Sequence, residues 1–196
     1  MKKVLLIFTI LALSVFTTAC INNLAVQELN NKAAEFMKKG EYENAISRLQ
    51  SSVDLDPSIF ETQYNLAIAY TENEDYDLAI ETYKTALALK PDSKETYYSM
   101  AVMYENYAKD LFTGNTKVQK EEAKSDDDED KVSFDSEGKY KPTEEELNEV
   151  KQYYGEAIAS YEKYLELSTD SKDTLDVKAH IEDLRANLDT LDIDTN

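Results

Sequence analysis

The chain has 196 residues and carries 21 basic and 40 acidic side chains, a formal net charge of −19 at pH 7. This charge repels polyanions, because phosphate contacts need clustered Lys and Arg, and it excludes nucleic-acid binding. Four Gly and three Pro are too few for the turns of an all-β domain, and one Cys with one His excludes a disulfide, a Cys-based metal site and a His pair. The composition predicts a small helical protein without a cofactor.

The first stretch of the chain has the layout of an export signal. Lys2 and Lys3 precede the apolar run 4–16, which is shorter than the about 20 residues that span a bilayer. Small or short polar residues follow the run, and no basic cluster stands after them to stop transfer. The sequence therefore predicts that the chain is exported.

The segment Thr17-Thr18-Ala19-Cys20 resembles the lipobox of bacterial lipoprotein precursors. The resemblance implies a cleaved signal peptide at 1–19, acylation of Cys20 as the first mature residue, and a lipidated tether at 20–25. It implies a bacterial membrane protein that faces the periplasm or the cell exterior. Because no Asp follows the Cys, the outer membrane is favoured in a cell that has two. An uncleaved membrane anchor and ordinary secretion with an unpaired Cys are the alternatives.

A period of 34 residues follows the tether. The segment 40–46, Gly-Glu-Tyr-Glu-Asn-Ala-Ile, recurs at 74–80, and Leu55-Asp56-Pro57 recurs as Leu89-Lys90-Pro91. A period of this length is typical of stacked two-helix units. The pattern resembles the tetratricopeptide repeat (TPR) family, whose unit is an antiparallel helix pair with small residues at the crossing and a closing Pro. The resemblance implies a first repeat at 26–59 and a second at 60–93.

A third repeat is interrupted. Its first helix carries the pattern of Tyr97 and Ala101, whereas its second helix resumes only at Tyr154, 44 residues later than the period predicts. The material between is rich in Lys, Glu, Asp and Ser, so it lacks the apolar surface that would offset the cost of ordering it. The sequence predicts a third repeat at 94–170 with a disordered acidic insertion at about 115–141.

The insertion contains a partial calcium-loop pattern. Lys131 replaces the Gly that the turn of such a loop needs, so weak divalent-cation binding is the lesser alternative to a solvated acidic run. The four acidic side chains at ligand positions are Asp126, Asp128, Asp130 and Glu137.

An apolar stripe at helical spacing follows the third repeat and includes Val177, Ile181 and Leu184. A solenoid needs a terminal helix to cover its last repeat, so the sequence predicts a capping helix and tail at 171–196. His180 lies beside this stripe and is interpreted as a surface residue. The predicted fold is all-α: an α-solenoid of three TPR helix pairs with a terminal capping helix and a long insertion in the third repeat.

No catalytic nucleophile with a base, phosphate loop or metal-ligand spacing occurs, so neither enzyme activity nor a metal site is predicted. The first helix of each repeat lines the concave face that such solenoids use for binding. The candidate partner-binding residues at outward positions of these helices are Asn30, Met37, Tyr64, Ile68, Tyr98, Val102 and Glu105. The alternative interpretation is that the two tyrosines pack against the terminal helix or a loop.

An apolar floor with an acidic edge suits a partner protein with a basic or amphipathic segment. The sequence thus predicts a non-catalytic, membrane-anchored protein–protein interaction scaffold of the bacterial cell envelope. The alternative function is that of a chaperone-like or pilotin-like factor, which assists assembly or export of an envelope component.

Overall fold

The computed structural model describes residues 23–116, 139–169 and 171–193. Within these ranges the chain forms seven α-helices and no β-strand: α1 (23–38), α2 (Tyr42–Leu55), α3 (Phe60–Glu72), α4 (Tyr76–Leu89), α5 (Lys94–Thr113), α6 (Glu144–Leu167) and α7 (Ser171–Ile193). None of these helices is apolar over a length that would span a membrane. The predicted signal peptide and Cys20 lie outside the described residues, as do all four acidic residues of the partial calcium loop.

The helices form the predicted all-α solenoid. Each repeat is a pair of successive helices, α1 with α2, α3 with α4, and α5 with α6, and fully buried alanines stand where the helices of the pairs meet. Ala has no side chain beyond Cβ, so helix axes approach to the short end of the usual 8–10 Å range. These alanines recur on first helices and on second helices: Ala33, Ala67 and Ala101, and Ala45, Ala79 and Ala157.

The turns inside the first two repeats have the same geometry. Gly40 has φ +71°, and Glu74, which stands 34 residues later, has φ +61°. Each turn is closed by an equivalent backbone bond, from Glu41 N to Phe36 O at 3.0 Å and from Asp75 N to Tyr70 O at 2.9 Å. Since a side chain disfavours the left-handed region, the second turn carries strain that the first avoids.

The third helix pair is longer than the others, with 20 residues in α5 and 24 in α6. Gly114 is the C-cap of helix α5 and has φ +71°, and a Cβ placed there would lie 2.6 Å from Cγ of Tyr140. Helix α6 begins with a capping box formed by Thr143 and Glu146. The two ends of the insertion therefore meet at the contact between Gly114 and the Tyr140 ring.

Stacked tyrosines join α4, α5 and α6. The Tyr107 ring lies between Tyr76 and Tyr153, with centroid distances of 4.6 and 4.4 Å. The Tyr76 hydroxyl donates to Asp110 Oδ2 at 2.5 Å. Burial raises the pKa of Tyr104, which also stacks on Tyr153, to about 12. These rings connect the third repeat to the second.

Helix α7 covers the last repeat, as the apolar stripe predicted. Val177, Ile181 and Leu184 are buried and pack with Ala101 of α5 and Ile158 of α6. The predicted capping helix is therefore present, and it contacts both helices of the third repeat.

Candidate partner-binding face

Two grooves lie on either side of α3. The first, the apolar groove, has a volume of about 280 Å³ and is formed by α1, α2 and α3. Its lining is Asn30, Ala33, Ala34, Met37, Lys38, Leu49, Asn65 and Ile68. The second, the tyrosine groove, has a volume of about 520 Å³ and is formed by α3, α5, α6 and α7. Its lining is Tyr64, Lys94, Glu95, Tyr98, Ser99, Tyr164, Asp176 and Val177.

Asn30 in the apolar groove is engaged in helix packing. Its Nδ2 contacts the Val26 carbonyl at 3.1 Å, Ser52 Oγ at 3.2 Å and Thr62 Oγ1 at 2.9 Å. Its Oδ1 is buried with no hydrogen-bond partner among the described residues. Asn30 therefore joins α1, α2 and α3, and this role limits its freedom to contact a ligand.

The floor of the tyrosine groove includes Tyr64, whose position is fixed on two sides. Its hydroxyl hydrogen-bonds with Ser99 Oγ at 2.9 Å. Its ring stacks on Phe60 with a centroid distance of 5.9 Å and tilts against buried Tyr83 at 6.4 Å. These contacts hold the Tyr64 side chain in a fixed orientation at the groove.

Tyr98 stands one repeat after Tyr64 and lines the same groove. Its ring makes edge contacts with Tyr161 and Tyr164, with centroid distances of 5.6 and 5.2 Å. The Tyr98 side chain nonetheless remains 43% exposed. Tyr98 therefore packs against α6 on one side and presents an open surface to the groove.

The charges at the tyrosine groove come from α5 and α7. Lys94 and Glu95 stand in the first turn of α5, where the helix dipole stabilises the carboxylate. The Ser93 hydroxyl donates to Glu95 Oε2 at 3.4 Å. Asp176 of α7 lines the same groove. Two carboxylates therefore stand there against one ammonium group.

Val102 and Glu105 face the capping helix. Val102 packs against the apolar cluster that α5 shares with α6 and α7. Glu105 Oε2 accepts from the Tyr161 hydroxyl at 3.2 Å and lies 2.7 Å from His180 Nε2. His180, interpreted from sequence as a surface residue, is half-buried, and its ring meets the Tyr161 ring edge-on.

The structure thus divides the predicted partner-binding residues into three places. Tyr64 and Tyr98 share the tyrosine groove, and the lining of the apolar groove includes Asn30, Met37 and Ile68. The remaining pair, Val102 and Glu105, contacts α7.

Sequence reasoning did not assign Tyr164 or Asp176 to the site. Both lie outside the first helices of the repeats, on α6 and α7, and no concave-face pattern includes them. The signal available for Tyr164 was its position one helical turn after Tyr161. Among the described residues, no group of three or more His, Cys, Asp or Glu side chains could hold a metal ion.

The described residues form helix pairs with buried alanines and two lateral grooves. These features define a helical-repeat protein, a class that binds partners through its surface. Two family models match the chain: Tetratricopeptide repeat at residues 60–93 and TPR repeat at residues 33–74. Residues 33–93 therefore carry TPR repeats, and the described residues form a TPR-like solenoid. A fold of this class is typically a non-catalytic protein-interaction module. The comparison with curated proteins finds no match.

Several solved structures are similar in fold. One is the first TPR of Spaghetti (RPAP3) bound to the HSP90 peptide SRMEEVD, at 17% identity and TM-score 0.54, covering 84% of this chain and 94% of that one. Another is the first TPR domain of human RPAP3, at 18% identity and TM-score 0.55, covering 84% and 95%. The Arabidopsis OM64 TPR domain matches at 13% identity and TM-score 0.54, covering 82% and 96%.

Proposed function

We propose that this chain is a non-catalytic, lipid-anchored interaction scaffold of the bacterial cell envelope that binds a segment of a partner protein in the tyrosine groove. The observation that carries the proposal is the pair Tyr64 and Tyr98, which line one groove of about 520 Å³ on successive first helices. Tyr provides a large contact area for a small loss of side-chain entropy and is enriched at the energetic centres of interfaces.

The charge of this chain favours a partner of a particular kind. One structural neighbour is bound to the peptide SRMEEVD, which contains three acidic residues. This chain has a net charge of −19, and Glu95 and Asp176 stand at its groove. Like charges across an interface are unfavourable, so we infer a basic or amphipathic partner segment.

The anchor proposal rests on the lipobox-like segment that ends at Cys20. The described part of helix α1 starts at residue 23, three residue steps after the Cys. An extended chain spans at most about 3.6 Å per residue. An acylated Cys20 would therefore hold residue 23 within about 11 Å of the membrane surface, where the solenoid would meet membrane-proximal partners.

The binding proposal is tested by capture from membranes of a bacterium that produces the chain. The full-length protein and a Tyr64→Ala plus Tyr98→Ala variant serve as baits after crosslinking. The matched control is Tyr42→Ala plus Phe112→Ala, which removes two rings that line neither groove. We expect a specific partner with the first bait and the control, and its loss with the groove variant.

Retention of every partner by the groove variant, with helicity intact by circular dichroism, would contradict binding in the tyrosine groove. A partner captured only transiently and well below stoichiometric amounts would favour the chaperone-like or pilotin-like function over the scaffold.

The anchor is tested separately with a Cys20→Ala variant. We expect the full-length chain to fractionate with membranes and to incorporate an alkyne-labelled palmitate, and the variant to lose the label. A Thr18→Ser variant, which keeps the Cys, is the control. Equal labelling of the Cys20→Ala variant would exclude Cys20 as the attachment point.

A further inference from the structure

We propose that the tyrosine groove recognises an arginine side chain of the partner. The rings of the groove pack on the guanidinium group, and the carboxylates of the groove accept the guanidinium hydrogen bonds. This inference rests on the proposed function, because it names the chemical group that the same groove receives. The residues that carry it are Tyr64, Tyr98, Tyr164, Glu95 and Asp176.

The aromatic part of the site comes from three different helices. Tyr64 of α3, Tyr98 of α5 and Tyr164 of α6 line the groove together. A cation near the face of an aromatic ring is attracted by the ring quadrupole, and Arg makes such contacts more often than Lys. The Tyr64 hydroxyl hydrogen-bonds with Ser99 Oγ, and this bond fixes the orientation of the ring that lines the groove.

The carboxylates distinguish arginine from cations that have no hydrogen-bond donors. Glu95 of α5 and Asp176 of α7 enter the groove from different helices. A guanidinium group has five N–H donors in a planar fork, so it can pair with a carboxylate while its flat face packs on a ring. A quaternary ammonium group has no donor and would leave both carboxylates unused.

Lys94 would repel a bound cation, so the proposed site also predicts a substitution that raises the affinity for arginine. It lines the groove beside Glu95, and its ammonium group repels a guanidinium at close range. Removing the Lys94 charge should therefore strengthen arginine binding, whereas removing the Glu95 and Asp176 charges should weaken it. A groove that used only apolar contact would respond to neither change.

The capping helix acquires a binding role in this arrangement. Asp176 and Val177 of α7 form part of the groove, although the apolar face of the same helix covers the third repeat. The cap is therefore one wall of the ligand site as well as the end of the solenoid.

The experiment uses the full-length chain and two fluorescein-labelled peptides, with binding measured by fluorescence anisotropy. Both have the sequence Gly-Ser-Leu-Ala-X-Leu-Ala-Ser-Gly, with X either arginine or its neutral isostere citrulline. We expect the arginine peptide to bind about tenfold more tightly, because a cation–ring contact together with an ion pair to exposed carboxylates is of that order. We expect methylguanidinium to compete better than tetramethylammonium.

Charge variants then locate the effect. Glu95→Gln plus Asp176→Asn should weaken the arginine peptide about tenfold and leave the citrulline peptide unchanged, and Lys94→Gln should strengthen the arginine peptide about threefold. The control, Glu43→Gln plus Asp54→Asn, removes two exposed charges of α2 that line neither groove and should change nothing.

Each other outcome overturns a defined statement. The arginine site is contradicted if the two peptides bind with equal affinity, or if the arginine peptide does not bind up to about 1 mM. It is also contradicted if the control variant has an equal effect, or if tetramethylammonium competes more strongly than methylguanidinium. If Tyr64→Ala plus Tyr98→Ala removes binding of both peptides equally, partner binding in the groove stands without the arginine preference. If that variant binds both peptides normally, groove binding itself is contradicted.

Discussion

The second and third repeats place equivalent residues in different surroundings. Ile68 of α3 and Val102 of α5 stand 34 residues apart at the same repeat position. Ile68 lines the apolar groove, whereas Val102 packs against the cluster that includes α7. The same repeat position therefore lines a groove in the second repeat and packs beside the capping helix in the third. Repeat position alone does not define a binding residue.

The first two repeats, taken as one region, also differ from the third repeat in how their helices are joined. The first two repeats use short turns with one left-handed residue each, Gly40 and Glu74. The third repeat uses longer helices, a contact between Gly114 and Tyr140, and a tyrosine stack. One apolar cluster nevertheless runs from α1 to α6, which predicts that the two regions unfold together.

The largest expected effect is unfolding at alkaline pH. Burial raises the pKa of Tyr83 in the second repeat and of Tyr104 in the third, the latter to about 12. Tyrosines of the unfolded chain ionise near pH 10. Because the folded state holds these protons more tightly, the stability they contribute is fully present below about pH 10 and is lost as the pH rises towards 12.

Tyrosinate absorbance and far-ultraviolet circular dichroism measure this transition. We expect both signals to change in one step above pH 10, and Tyr104→Phe to move the loss of helicity to higher pH. Ionisation of all 14 tyrosines near pH 10 with helicity retained would contradict the burial. Two separate steps would show that the regions unfold independently.

A large effect is expected where α5 meets the first repeats. The Met103 side chain is 0% exposed and lies in the cluster shared by α1 to α6. Met103→Ala should lower the free energy of unfolding by about 2–5 kcal/mol, because it removes buried methylenes and leaves a cavity. Urea denaturation measures the change.

The matched control is Met103→Leu, which keeps the volume and should cost less than about 1.5 kcal/mol. Equal midpoints for wild type and Met103→Ala would show that α5 is not packed on the first repeats in this way.

The next prediction, of intermediate size, compares the free energy of unfolding after substitution of the two turn glycines. Gly40 and Gly114 both have φ +71°, but a Cβ at Gly40 meets nothing within 4 Å, whereas one at Gly114 meets the Tyr140 ring at 2.6 Å. Gly40→Ala should destabilise the protein by about 1 kcal/mol and Gly114→Ala by about 2–3 kcal/mol. Thermal and urea unfolding compare the two.

A Tyr140→Ala background provides the control for the Gly114 contact. In that background, Gly114→Ala should cost no more than Gly40→Ala, because only the backbone strain remains. If Gly114→Ala still lowered the stability more than Gly40→Ala in that background, a cause other than the Tyr140 ring would explain the difference.

The smallest expected effect has the opposite sign. Glu74 occupies the left-handed position that Gly40 fills in the first repeat. Glu74→Gly should raise the free energy of unfolding by about 0.5–1 kcal/mol, because relief of strain exceeds the added freedom of the unfolded chain. Glu81→Gly, at an exposed position inside α4, should instead destabilise by about 1 kcal/mol. Destabilisation by Glu74→Gly would show that the Glu74 side chain contributes more than its strain costs.

The sequence predicted the fold because the repeat is encoded locally. Alanines at fixed spacing and the turn at Gly40 each act within one helix pair, so periodicity is enough to place them.

The candidate site was only partly predictable. Tyr64 and Tyr98 share the 34-residue period, and the structure places them in one groove, although their binding role stays a prediction. Tyr164 and Asp176 belong to helices outside the concave-face pattern. Their arrival in the same groove depends on how α6 and α7 pack, which no local spacing encodes.

The sequence by itself determined the helix pairs, their order and the acidic charge, because these follow from residue types at short separations. Only the tertiary structure decided which face α7 covers. Glu105 and His180 meet across 75 residues of chain that include the insertion, and a contact of that kind depends on the packing of three helices at once. The same packing brings Asp176 to the tyrosine groove and leaves Tyr98 open beside it.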